Sequence, residues 1–199
     1  MVVKNSKRSI SKEIDLSKSK EYVNEVNKII NTEFIKIKNN FIKKFNQHPV
    51  TREIDAGPGA SNISKTLSGE ANLFSFIGFE KSENPTNNIR SLFSQIFINK
   101  VVVKRDGSAL NVINYPTTED YFQATPLPWA PGRSWAKGIE QGISGLGFFL
   151  KESHYKSRSG VGIQIKNKIR GIEFKPTQYL TSLIKDFEKD ILILNSTNF

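Results

Sequence analysis

A stripe of apolar side chains recurs at helical spacing along the first quarter of the chain. Seven positions within residues 17–47 lie three or four residues apart: Val23, Val26, Ile30, Phe34, Ile37, Phe41 and Phe45. Their mean spacing of about 3.7 residues is that of a straight helix, so the pattern predicts one amphipathic helix over 17–47. Ser17 or Ser19 can cap its start, and Pro49, which lacks an N–H group, is expected to end it.

Residues 48–72 change to a polar, loop-rich pattern that includes Gly57-Pro58-Gly59. A connector of this length inside a compact domain is typical of a binding loop, and residues 115–133 form a second one. Leu73–Phe79, directly after the first loop, alternates large and small apolar side chains. This alternation predicts a buried strand or extended segment, whose three phenylalanines need an apolar surface to lie against.

The clearest local signal is the turn at Asp106-Gly107. It separates two runs rich in β-prone residues, Phe97–Lys104 and Ala109–Ile113. Because both turn residues tolerate a positive φ, this arrangement predicts a β-hairpin. A short helix that begins near Pro85 is expected before it.

Residues 126–150 hold both tryptophans within a run rich in proline and glycine. The prolines favour an extended approach and Gly132 a tight bend. Ser134 can then cap a short helix that places Trp135 and Ile139 on one face. Three further elements are expected after it: strands over Gly147–Leu150 and Val161–Ile169, and a closing amphipathic helix from Pro176.

Together these elements predict an α+β fold. A long N-terminal amphipathic helix would pack on a small antiparallel sheet, with short helices and long ordered loops around it. The predicted organisation is a flexible basic arm over 1–16, the long helix over 17–47, and a single α+β domain over 48–199. The long loops of that domain are 48–72 and 115–133.

Composition narrows the class of protein. No cysteine is present, which excludes a disulfide framework, and we expect an intracellular origin. No secretory leader is expected, because no apolar core follows the charged N-terminus, and the sequence has no apolar run of about 18 residues, so no membrane partner is expected. The net charge of +10 is concentrated in residues 1–47 and 151–175, which suits phosphate or an acidic protein surface.

Within the second basic block, three residues are predicted as basic contacts because they fall on one face of an alternating strand. They are Lys166, Lys168 and Arg170. Such a face can follow a phosphate backbone, although a solvated strand face has the same pattern.

The motifs that carry chemistry are weak. Ser134 and Lys137 have the Ser-x-x-Lys spacing of acyl-transferring serine enzymes, but the companion motifs are missing and residues 17–20 repeat the spacing. His48 and His154, the only two histidines, lie far apart in sequence, so a histidine-based metal site would need distant partners. We therefore predict no catalytic residue, no metal site, no cofactor and no small-molecule ligand.

Apolar and aromatic side chains in the central segments form the predicted protein–protein interface. Their loops are too polar to make a core alone, so a neighbouring subunit would cover them. The predicted interface residues are Leu73, Phe74, Phe76, Phe79, Trp129, Trp135 and Ile139.

Four pieces of the chain resemble uncharacterised virion structural proteins of marine tailed bacteriophages. They are residues 48–54 (HPVTREI), 60–64 (ASNIS), 72–79 (NLFSFIGF) and 132–150. The plan of a long N-terminal helix, a small antiparallel sheet and large loops also resembles the tail-completion and neck proteins of such phages. The resemblance implies a non-enzymatic subunit of a homo-oligomeric ring that contacts adjacent tail or neck proteins, and DNA in the channel.

Three functions follow in order of preference. The first is a structural subunit of a tailed-phage virion, assembled in the host cytoplasm and located in the neck or tail, with a baseplate or tail-tip position as the alternative. The second is a nucleic-acid-binding protein that uses residues 151–175. The third is a hydrolase of cell wall or glycan, for which Glu140 and Glu152 are the carboxylates of the aromatic-rich region, each without an evident partner.

Overall fold

The computed structural model describes residues 15–67, 72–128, 130–142, 149–151, 163–165 and 175–196. Within them the fold is α+β, as predicted: a long N-terminal helix packs against the C-terminal helix and small two-stranded antiparallel sheets. The helices are α1 Lys20–Gln47, α2 Pro49–Asp55, α3 Leu73–Ile77, α4 Asn87–Leu92, α5 Thr118–Gln123, α6 Trp135–Glu140 and α7 Leu180–Ser196. The strands pair in sequence order: β1 Phe97–Val103 with β2 Ala109–Asn114, β3 Pro126–Leu127 with β4 Ala130–Ser134, and β5 Phe149–Lys151 with β6 Ile163–Ile165.

Helix α1 confirms the apolar stripe. Five of its seven positions are buried: Val26, Ile30, Phe34, Phe41 and Phe45. At the start, Ser19 Oγ accepts a hydrogen bond from the Tyr22 N–H at 3.3 Å, so Ser19 is the capping residue of the two considered. The helix ends at Gln47 and Pro49 opens α2, which confirms the predicted break.

The prediction of a loop throughout residues 48–72 is wrong at its start, where α2 forms. Pro49 occupies the first helical position, and His48 Nδ1 accepts the Val50 N–H at 3.3 Å. A proline that ends one helix therefore begins the next, because its fixed φ suits a first turn and its missing N–H is not needed there. A 3₁₀ turn over Gly57–Gly59 follows.

The prediction of a strand or extended segment over Leu73–Phe79 is also wrong, since α3 is a five-residue helix. Asn72 Oδ1 accepts the Ser75 N–H at 2.9 Å at its start. Gly78, at φ +86°, ends it in the left-handed conformation that glycine adopts without strain. All five helical residues are buried, so no polar face marks the helical period in the sequence.

The chain divides into two compact units, each built from segments that are distant in sequence. The described residues of unit 1 lie within 15–40, 95–115 and 186–196, and those of unit 2 within 41–94 and 116–185. Neither unit is a continuous stretch of chain.

In unit 1, one face of the β1–β2 hairpin packs on α1. The buried cluster consists of Val26, Ile30 and Ala109, flanked by Tyr22, Ile98, Val101 and Val103. The predicted hairpin is confirmed, with Gly107 at φ +88° in the turn and a register shift between Ile98 and Lys100. Tyr22 Oη donates to Gly107 O at 2.9 Å, so a residue of α1 fixes the position of the turn.

Unit 2 has an aromatic core. Phe93 packs edge-on against Phe41 at 5.6 Å and against Phe45 at 5.2 Å between ring centroids. Tyr179 stacks on Phe45 and on Trp135, at 6.2 Å in each case. These rings are buried and join segments that lie far apart in sequence.

The closing helix begins later than predicted, at Leu180 rather than near Pro176, while its predicted apolar positions are buried. Its first turn is held by Glu140 at the end of α6, since the Thr181 N–H donates to Glu140 Oε1 at 2.8 Å. The predicted strands appear as the short pair β5–β6, and the rest of their predicted ranges lies outside the described residues.

Candidate functional site

The predicted interface residues of the α3 segment lie inside unit 2. Leu73, Phe74, Phe76 and Phe79 are at most 2% exposed, with Phe74 and Phe79 packed ring to ring at 5.4 Å. The chain itself therefore provides the apolar surface that these side chains need. A direct contact between them and a neighbouring subunit would require this part of the core to open.

The predicted interface residues of the tryptophan segment are also buried where the structure describes them. Trp135 is 1% exposed and packs edge-on against Phe79 at 5.9 Å, and Ile139 on the same helix is fully buried. Trp129 lies outside the described residues. A groove of about 440 Å³ lies beside this core, and its lining includes Phe79, Pro85, Pro126, Leu127 and Trp135.

Glu53 of α2 has a role that the sequence reasoning missed. Its carboxylate is fully buried, and it accepts the Ser64 N–H at 2.6 Å and the Leu73 N–H at 2.7 Å. The two hydrogen bonds fix the two ends of the segment between them. No local motif marks Glu53, because its partners lie 11 and 20 residues away.

Ser134 and Lys137 serve structural roles. Ser134 Oγ accepts the Lys137 N–H at 3.0 Å as the N-cap of α6 and shares a hydrogen bond with Thr125 Oγ1 at 2.7 Å. The Lys137 ammonium lies over the Phe122 ring at 5.7 Å, a cation–π contact. Helix capping thus accounts for Ser134, whereas Lys137 gives its backbone N–H to the cap and its ammonium to the cation–π contact.

Other side chains that are candidates for catalysis or metal binding also make hydrogen bonds that stabilise the fold. Glu140 accepts both the N–H and the Oγ1 of Thr181, so its carboxylate is used at the start of α7. His48 caps α2 and packs on Tyr179 at 4.8 Å, and burial lowers its pKa below the ordinary value. Glu152 and His154 lie outside the described residues.

The basic side chains of α1 that the structure describes are partly engaged within the chain. Lys36 Nζ pairs with Glu33 at 2.7 Å, and Lys38 Nζ donates to Ile96 O at 2.7 Å. The predicted basic contacts lie outside the described residues: Lys166, Lys168 and Arg170.

Exposed apolar side chains concentrate in unit 1. In the part of the chain that the structure describes, the large exposed ones all belong to this unit: Ile29, Ile35, Phe97, Val102, Leu110, Val112, Leu192 and Ile193. Contiguous apolar surface is uncommon on monomeric proteins and often marks an interaction site. The candidate functional site is therefore on unit 1, whereas the predicted interface residues that the structure describes belong to unit 2.

The largest group of these side chains covers the outer face of the hairpin. Val102 lies directly opposite Leu110, and Lys100 lies opposite Val112. Leu110 and Val112 are 47% and 44% exposed. Because side chains alternate along a strand, the residues that pack on α1 and those that face outward form two separate apolar faces. We call the outer one, formed by Phe97, Val102, Leu110 and Val112, the hairpin face.

The inner side of the hairpin contains a buried polar group. Asn111 is 4% exposed, and neither polar atom of its side-chain amide has a hydrogen-bond partner among the described residues. Its backbone N–H donates to Asn195 Oδ1 of α7 at 3.1 Å. A buried amide without a partner costs about 1–3 kcal/mol, so Asn111 lowers the stability of the packed side of the hairpin.

A second surface of unit 1 is concave. A groove of about 390 Å³ is lined by α1 and α7 side chains: Glu33, Lys36, Ile37, Asn40, Asp190, Ile193 and Leu194. Apolar side chains contribute from both helices, and Asp190 adds negative charge. We call this the α1–α7 groove.

The described residues contain no group of three or more histidine, cysteine, aspartate or glutamate side chains arranged to hold a metal ion. Within the same ranges, no helix has the length and apolar character needed to cross a membrane.

Comparisons with protein-family models, with curated proteins and with solved structures find no match. The function proposed below therefore rests on the chain's own residues and on the sequence resemblance described above.

Proposed function

We propose that this chain is a structural subunit of a tailed-phage virion, located in the neck or tail, where it connects head and tail or completes the tail. Its action is protein–protein assembly without a catalytic step. The observation that supports assembly most directly is the exposed hairpin face of unit 1. The phage assignment comes from the resemblance of pieces within residues 48–79 and 132–150.

The hairpin face favours association for a simple energetic reason. Apolar surface contributes about 25 cal/mol for each Å² removed from water, and the face presents a cross-strand pair, Val102 and Leu110, with Val112 beside it. A partner that covers this face gains that free energy without disturbing the buried side against α1. Other virion proteins, including further copies of this chain, are the proposed partners, and the basic blocks are proposed to meet acidic surfaces of these partners or DNA in the channel.

Two alternatives stay open to experiment. A baseplate or tail-tip subunit of the same particle would use the same kind of surface. A nucleic-acid-binding protein would use residues 151–175, with Lys166, Lys168 and Arg170 as the contacts.

Detection of the chain in purified virions tests the proposal. We expect mass spectrometry to find it as a stoichiometric component, and gold-labelled antibody to place it at the neck or along the tail. Labelling at the distal tip would favour the baseplate alternative. Absence from purified particles would contradict a virion role.

Retention on DNA separates assembly from nucleic-acid binding. Binding that weakens steeply with salt and is lost in Lys166→Ala, Lys168→Ala and Arg170→Ala variants would favour the second alternative. Under the assembly proposal, entry into particles depends on protein–protein contacts, so these variants enter particles normally even where their contact with DNA in the channel is lost.

A further inference from the structure

Unit 1 carries two apolar surfaces of different form. The hairpin face is the outward side of a two-stranded sheet, whereas the α1–α7 groove is a concave space of about 390 Å³. A cavity of about 150 Å³ lined by apolar side chains accommodates benzene, so the groove has room for two side chains of the size of Phe97 and Leu110. The groove is therefore large enough to take apolar side chains of the hairpin face.

The two surfaces also differ in charge. Residues 97–114, which form the hairpin and its turn, contain three basic side chains and one acidic side chain. The charged side chains that line the groove are the acidic Glu33 and Asp190 and the basic Lys36, which pairs with Glu33, so the groove is net negative. Lys100 lies beside Val112 on the hairpin face, and Asp190 lines the groove, so each charge adjoins apolar surface. Opposite charges around apolar centres favour one orientation of docking.

The same charges disfavour other occupants. Two hairpin faces packed against each other would bring two copies of Lys100 together, and like charges oppose such a contact. The net negative charge of the groove, to which Asp190 contributes, would disfavour a phosphate-bearing partner. A second copy of the chain, in contrast, supplies both a basic apolar face and an acidic apolar groove.

We propose that the hairpin face of one copy docks in the α1–α7 groove of the next. The contact is head to tail, because the two partners use different surfaces, and repetition of it produces a ring if the rotation closes or a filament if it does not. This inference rests on the proposed assembly function and names its partner as a second copy. Leu110 on the face and Ile193 in the groove are its central residues.

Three variants with matched chemistry test the contact. Leu110→Asp places a charge in the hairpin face and Ile193→Asp places one in the groove. Ile35→Asp is the control, because Ile35 is 55% exposed and Ile193 is 56% exposed, and both are isoleucines on helices. Ile35 does not line the groove. Circular dichroism checks that each purified variant is folded.

Sedimentation velocity should show concentration-dependent association for the wild-type protein and Ile35→Asp, and monomers for Leu110→Asp and Ile193→Asp. The decisive sample is the equimolar mixture of the two monomeric variants. Each retains the surface that the other has lost, so we expect a species of two chains that does not grow further. Labelling the variants with different dyes shows that both are present.

Several results would overturn the inference. A wild-type protein that stays monomeric at about 1 mM, where a contact of about 4 kcal/mol would already be about 40% formed, excludes it. Association retained in Ile193→Asp but lost in Leu110→Asp indicates contact between two hairpin faces. Two monomeric variants that fail to combine exclude a head-to-tail contact. None of these results removes the chain from purified virions, so failure of the contact is distinguishable from failure of the proposed function.

Discussion

His48 lies between the two helices that meet at Gln47 and Pro49. Its Nδ1 accepts the Val50 N–H, which requires a neutral ring, and the ring packs on Tyr179. Burial lowers the pKa of His48 below its ordinary value of 6.5, while a backbone hydrogen bond to Gln178 and the charge of Glu140 act in the opposite direction. Protonation would remove the cap acceptor and place a charge in a half-buried site.

Stability should therefore depend on pH through this residue. Below about pH 6.5 the unfolded chain binds a proton at His48 and the folded chain does not, so the free energy of unfolding falls as pH decreases toward the folded-state pKa. His48→Asn keeps a good capping side chain without a titrating ring. Urea unfolding of both proteins should give a constant difference in the free energy of unfolding above about pH 7. Below about pH 6.5, the wild type should lose stability relative to His48→Asn. A difference independent of pH would contradict this role, since His154 is common to both proteins.

At the scale of elements, the hairpin turn depends on a single glycine. Gly107 has φ +88°, and a Cβ there would lie 2.7 Å from Tyr22 Oη and 2.9 Å from Leu16 Cδ1. Two other glycines allow the effect of the positive φ to be separated from that of the close contact. Gly132 has φ +95° with nothing within 4 Å of a Cβ, and Gly59 has neither a positive φ nor a close neighbour.

Substituting alanine at the three positions should give a graded loss of stability. Gly59→Ala is expected to change the free energy of unfolding by no more than about 0.5 kcal/mol. Gly132→Ala should lose about 1–2 kcal/mol from the left-handed backbone alone. Gly107→Ala should lose more, because Tyr22 must also move. Urea unfolding followed by circular dichroism measures all three, and equal effects at Gly107 and Gly132 would show that the Tyr22 contact does not constrain the turn.

Elements with strong local signals could be predicted from the sequence. The stripe of α1, the break at Pro49 and the turn at Gly107 each depend on neighbours within a few residues. Helix α3 could not, because burial on all sides removes the polar face by which a helical period is recognised. Its true signals were Asn72 at the start and Gly78 at the end, a capping residue and a left-handed terminator around five residues.

The candidate site was harder to predict because exposure is a property of the whole molecule. Leu73 and Leu110 are both leucines among apolar neighbours, yet the first is fully buried and the second is 47% exposed. The difference arises from what folds over each of them, and those partners are distant in sequence. The interface was predicted in the tryptophan and phenylalanine segments because large aromatic side chains need burial. The core of unit 2 provides that burial.

Two classes of apolar residue should therefore respond differently in the whole protein. Trp135→Ala removes a buried side chain that packs on Phe79 and Tyr179, and we expect a loss of about 3–5 kcal/mol in the free energy of unfolding. Leu110→Asp changes a half-exposed strand residue and should cost about 1 kcal/mol or less. Circular dichroism measures both, since Trp135→Ala also removes a fluorophore.

The two substitutions should have the opposite effects on self-association. Leu110→Asp is expected to abolish association while its thermal midpoint stays close to that of the wild type. Trp135→Ala should associate normally at temperatures where it is folded, because its defect lies in unit 2 and leaves the hairpin face unchanged. Sedimentation at about 10 °C, well below the usual melting range of mesophilic domains, separates the two effects. A folded Trp135→Ala protein that fails to associate would contradict this expectation. It would indicate that the interface includes the tryptophan segment, as the sequence predicts.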